Sequence, residues 1–174
     1  MKVAKNYKGN FGGLIRDYEF NPPLTATLDA IGDKPFDQHL INEIVLWKVN
    51  RFAPIAVDLI VELNEVCSLR KEEHRKAEKL LSKLLKQSGV DLPMASTLLR
   101  FRNKHVFQII DRHAYRALYG AKYPLYTTSN PAKKIDTYFK YIDDLISLAQ
   151  AKKVDFSIID RLLYVFDKQE NKTL

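Results

Sequence analysis

Apolar residues recur at three- and four-residue steps along most of this chain, the spacing that keeps them on one face of an α-helix. "PFDQHLINEIVLWKVNRF" places Phe36, Leu40, Ile41, Ile44, Val45 and Trp47 in that register. Pro54 then marks a new helix start, because its ring fits a first turn and clashes inside a helix. "PIAVDLIVELNEVCSL" repeats the spacing with Ile55, Leu59, Ile60, Leu63 and Val66, and the charged "RKEEHRKAEKLLSKLLKQ" continues it with Leu80, Leu81, Leu84 and Leu85. Both read as amphipathic helices. Asn130 before Pro131 offers a cap and a first-turn proline, after which Ile135, Tyr138, Phe139, Ile142, Leu145 and Ile146 form one stripe. A last helix is expected from Asp155, with Ile159, Leu162, Leu163 and Phe166 facing inward.

Between Met1 and Pro23, Gly9, Gly12, Gly13 and the Pro22-Pro23 pair break the periodicity, so this segment reads as an irregular N-terminal arm. "HVFQII" is apolar and β-branched but has no strand partner elsewhere in the chain. The pattern therefore predicts an all-α fold. A length of 174 residues with 46% hydrophobic content supplies one substantial core, and a single helical domain accounts for it.

Charge changes the picture next. Lys and Arg number 28 against 21 Asp and Glu, a formal charge of +7 that favours polyanionic partners. The single cysteine, Cys67, excludes an intramolecular disulfide framework and a four-cysteine zinc or iron–sulfur site. No apolar run resembles a signal sequence or approaches the length of a membrane span, so the expected setting is soluble and cytoplasmic, with no membrane contact.

The stretch "SGVDLPMASTLLRFRNKHVFQIIDRHAY", Ser88 to Tyr115, carries the candidate chemistry. Gly89 can take the positive φ that ends a helix, Asp91 can cap the next one, and Pro93 is tolerated in its first turn. The expected result is helix, hairpin, helix over about residues 73–102. A hairpin of this kind leaves backbone N–H groups unpaired at a helix N-terminus, where they can cradle a phosphate. Lys83 and Lys86 before the turn, and Arg100 and Arg102 after it, would add ionic attraction.

On these residues the chain resembles the helix-hairpin-helix DNA glycosylases, in particular their endonuclease III-like branch, as a divergent member. The family turn runs Gly, hydrophobic, Gly, three variable residues, Ala; here it is Gly89, Val90, Asp91, then Leu92, Pro93 and Met94, then Ala95. In that branch the second hairpin helix is followed by a connecting segment, hydrophobics and an Asp-x-His triplet holding the catalytic aspartate. The ungapped register puts that aspartate on Asp111 in "IIDRHAY", with His113 in the histidine place. The match covers roughly Leu80 to Leu118.

The resemblance implies a double-stranded DNA partner, phosphate contacts at Gly89 and Val90, and no cofactor or metal. It also implies base excision, in which an extruded nucleotide passes through an oxocarbenium-like state that an ionised Asp111 would stabilise, or whose attacking water Asp111 would activate. Two departures narrow this. The lysine that bifunctional members use to form a Schiff base is replaced by Pro93, so a monofunctional enzyme is the catalytic form implied. Asp91 replaces the second hairpin glycine and sets a carboxylate where a phosphate would approach. Both departures also fit the alternative, a non-catalytic helix-hairpin-helix module that binds DNA or protein on the same fold.

Plainer readings stand beside these. Asp111, after "FQII" and before "RHAYRALYG", is also an N-cap, and His113 suits holding that helix start. Cys67 reads as a buried small hydrophobe, Trp47 as core, and the mixed-sign run "RKEEHRKAEK" as a solvated helical face. Asn50 and Arg51, at the end of the Trp47 helix, are candidates for filling the gap left in a duplex by an extruded base.

Overall fold

The structure, a computed structural model, describes residues 9–10, 15–16, 22–32, 35–49, 53–126 and 128–171. Every regular element among them is helical, as the periodicity predicts. Contacts gather in two compact units, Met1–Phe52 and Ala53–Leu174, with the boundary just ahead of Pro54.

The first unit holds α1 (Pro22–Asp29) and α2 (Gln38–Lys48). The two prolines that break the arm's periodicity open α1, where their missing N–H groups would have had no intrahelical acceptor. Asp37 caps α2 by accepting the Leu40 N–H at 2.8 Å. Trp47 Nε1 donates to Thr25 Oγ1 at 2.8 Å, tying α2 to α1. Ile41 and Val45 of the expected stripe are exposed. Asn50 and Arg51, the candidates for filling a gap in the duplex, lie outside the described residues.

The second unit is built from α3 (Val57–Glu65), α4 (Glu78–Leu84), α5 (Leu92–Arg102), α6 (Arg112–Tyr119), α7 (Pro131–Lys152) and α8 (Ile159–Glu170). Twenty-two residues long, α7 spans roughly 33 Å. Its stripe of Ile135, Tyr138, Phe139, Ile142 and Leu145 packs into a core shared with Leu81, Leu84, Leu92, Leu99, Phe107 and Ile110. Asn130 caps α7 through the Ala132 N–H with Pro131 in its first turn, as the sequence predicts.

Several inward and outward assignments change, and Ile60 of the expected stripe is exposed. Cys67 is exposed, because the chain tightens into a 3-10 turn over Val66–Ser68 that sends Val66 inward and Cys67 out. Leu162 and Phe166 are also exposed. The inward face of α8 is Ile159, Asp160, Leu163 and Asp167, so two paired carboxylates occupy places that the apolar stripe would have claimed. The charged run before α4 forms a short 3-10 turn, His74–Ala77, whose His74 and Ala77 are buried.

"HVFQII" is not a strand. Residues 107–111 run without regular structure between α5 and α6, with Phe107, Gln108 and Ile110 buried. A buried backbone without a ladder needs side-chain partners, and the helices supply them. Tyr138 and Tyr141 of α7 donate to the carbonyls of Gln108 and Ile109 at 3.0 and 2.8 Å. Ser96 Oγ of α5 accepts the Ile110 N–H at 3.2 Å, and Asp160 of α8 accepts that of Ile109 at 3.4 Å.

Candidate nucleic-acid interface

α4 and α5 are joined by residues 85–91, and the turn closes with the Val90 N–H donating to the Gln87 carbonyl at 3.2 Å. Gly89 makes it possible with φ of 76°, a backbone state that residues bearing a Cβ rarely adopt. Val90 packs into the core, so neither its side chain nor its amide faces outward for a phosphate. The N–H groups of Ser88, Gly89 and Asp91 donate to no described residue, and they lie at the positive end of α5.

Asp91 caps α5, its Oδ1 accepting the Leu92 N–H at 2.6 Å. The same oxygen lies 2.7 Å from Nζ of Lys134, whose side chain is only 7% exposed. Lys134 belongs to the buried face of α7, four residues before Tyr138. The carboxylate that would repel a phosphate at this turn is therefore neutralised from behind.

The buried segment delivers Asp111 to the start of α6. Its Oδ1 accepts the N–H groups of His113 and Ala114 at 2.9 and 2.8 Å, a full N-cap. Oδ2 bonds to no described residue, and the side chain is partly exposed. His113 serves the helix rather than standing free: its Nδ1 lies 2.6 Å from Oδ2 of Asp167 on α8. Arg116, one turn on, grips both oxygens of Asp167 at 2.7 Å. The Arg116 hydrogen bonds hold the Asp167 carboxyl well below the usual carboxylate range, and bonds from Asn171 and His113 add to this. This network clamps α6, and with it Asp111, onto α8.

Tyr123, just beyond α6, is half-buried. Burial raises its phenol above the ordinary tyrosine range, and the charges of Asp91 and Asp111 both push it further. The Tyr123 ring meets Tyr115 edge-on at 5.6 Å, and Tyr115 in turn meets Tyr119 at 4.5 Å, forming an aromatic cluster. The arrangement can offer an oriented carboxylate, a neutral phenol, open backbone amides and stacking surface.

The basic residues expected around the turn do not gather there. Arg100 is buried, with Nε 3.3 Å from Asp160 and a terminal nitrogen donating to the Ser157 carbonyl at 3.0 Å. Arg102 Nε donates to the Asn64 carbonyl at 3.0 Å, and Lys83 pairs with Glu62. Lys86 alone of the four is exposed without a described partner. Position on α5 decides this for Arg100, which continues the buried face of Leu92, Ser96 and Leu99.

Lys134 and Tyr123 are the site residues that sequence reading misses. A lysine inside the apolar stripe of α7 was the available signal, since a buried ammonium requires an acidic partner. Tyr123 follows the end of α6 without any pattern of its own. Comparison with known proteins found no matching family model, no matching curated protein and no matching solved structure.

Proposed function

We propose that this chain is a DNA-binding protein of the helix-hairpin-helix glycosylase-like kind. In it the open amides at Ser88, Gly89 and Asp91 take a backbone phosphate, and Asp111 addresses a nucleotide drawn from the duplex. The observation that carries the reading is that Asp111 caps α6 through one oxygen and leaves Oδ2 without a described partner, while the hairpin amides ahead of α5 are likewise without one. Amides at a helix start favour an anion, and the Asp91–Lys134 pair removes the repulsion that Asp91 would otherwise exert. In its catalytic form the protein is a monofunctional base-excision enzyme. Asp111, its Oδ1 held by two N–H groups, turns Oδ2 toward the developing positive charge on the sugar or toward the attacking water.

Asp111→Asn separates the parts. Asparagine caps a helix as well as aspartate does, so the variant folds and binds duplex DNA while base release from a panel of lesion-bearing duplexes stops. A wild-type protein that releases no base from any of them removes the catalytic form.

One observation favours a second reading, a non-catalytic module on the same scaffold. Lys83, Arg100 and Arg102 are engaged inside the protein, leaving fewer cations for a duplex than a +7 chain suggests. Salt-dependent duplex binding without base release selects that module. No binding at low salt contradicts both readings.

A further inference from the structure

At the far end of α7 from Lys134, fifteen residues and roughly 20 Å along the helix at Ala149, lies a cleft of about 500 Å³. Three connections meet there: the turn before the His74 segment, the turn after α5, and the link from α7 to α8. Its volume falls within the ~300–1,000 Å³ typical of small-molecule sites. The floor is apolar, made by Val106, Ile146, Ala149 and Phe156. Lys71, His105 and Lys153 stand at the rim; Lys71 and His105 act electrostatically on Asp155, and no hydrogen bond or ion pair is described for any of the three side chains.

Backbone conformation sets this cleft apart. Glu72 and Lys153, with φ of 69° and 53°, are the non-glycine residues at positive φ among those described, and both line it. Lys153 closes α7, its N–H donating to the Gln150 carbonyl at 3.1 Å, a place where glycine carries no penalty. Strain of this sort gathers at ligand sites, where a side chain is kept in spite of its backbone.

We propose that the cleft binds a small organic monoanion with a flat apolar body, its charge seated between Lys71 and Lys153 and its body laid against Phe156 and Ile146. The remaining charged groups fix the size of the ligand. Asp155 is already occupied, accepting the Ser157 N–H at 2.8 Å with Lys71 and His105 near enough to act on it. Glu72 stands exposed on the rim. An extended polyanion would meet both carboxylates, whereas a compact anion would not. This site is separate from the hairpin and does not depend on its role.

The test is a titration of the full chain with indoleacetate, and in parallel with neutral indoleacetamide, followed by proton–nitrogen correlation spectra. The proposal predicts saturable shifts confined to the three connections, with the amide bound about tenfold more weakly. Lys153→Gly should weaken indoleacetate about three- to tenfold without lowering the melting temperature, since it removes a cation and relieves backbone strain. Gln150→Trp, at an exposed rim position, should block binding. Phe166→Ser, on the exposed apolar face of α8, should leave it unchanged. Absence of saturation, equal response to acid and amide, or loss of binding in Phe166→Ser alone would each overturn the proposal.

Discussion

Asp111 uses one carboxylate oxygen to accept two N–H groups and leaves the other without a described partner, an arrangement asparagine reproduces without the charge. The cap and the charge are therefore separable by experiment. Asp111→Ala loses both and should cost about 1 kcal/mol in urea denaturation, whereas Asp111→Asn should cost almost nothing. A cost above about 3 kcal/mol for the asparagine variant would mean that the charge itself holds the fold. Asp91 makes the complementary case. Asp91→Asn keeps a capping side chain but releases Lys134 from its carboxylate, so it should destabilise the protein while tightening its hold on a duplex, read by fluorescence anisotropy at low salt. Weaker binding in that variant would show that the Asp91 carboxylate assists the ligand and that the released Lys134 charge does not.

Between elements, the α6–α8 clamp has the greatest consequence, because it places Asp111 through a helix instead of through a loop. Asp167→Ala removes the carboxylate shared by Arg116 and His113 and should destabilise the fold by about 3 kcal/mol, measured by urea denaturation. A loss below about 1 kcal/mol would show the network to be incidental. The elements were largely legible in the sequence. Helix starts at Asp91, Asp111 and Asn130 follow from cap chemistry, and the α7 stripe follows from its spacing. The orientation of α8 was not, because Asp160 and Asp167 take inward positions only once Arg100, Arg116 and His113 arrive from other helices. The same blindness to distant partners made Arg100 look available for DNA, and left Lys134 and Tyr123 unnoticed. Local pattern shows which face is apolar; it does not show which charges are matched across the core.

At the scale of the whole molecule, stability should fall over two pH ranges as acid is added. Burial lowers the His74 imidazole below its ordinary value of 6.5, with Asp143 opposing and Arg75 reinforcing the shift. Its Nε2 lies 3.1 Å from Asp143 Oδ1 but off the hydrogen-bonding direction, so the contact does not offset burial. The unfolded chain then binds a proton that the folded one refuses, and stability falls as pH drops through the imidazole range. The depressed Asp167 carboxyl adds stability above the ordinary carboxylate range that is lost as pH falls below it. Melting temperatures from pH 8 to pH 3 should show both declines, and His74→Phe should flatten the first; an unchanged first decline would assign it elsewhere. The claim on which the functional account turns is that the hairpin and Asp111 face one ligand. A duplex titration that follows the backbone amides of Gly89, Asp91, His113 and Ala114 together tests it most directly. The account predicts that all four shift with one midpoint, whereas movement of only one pair, or of neither, would contradict it.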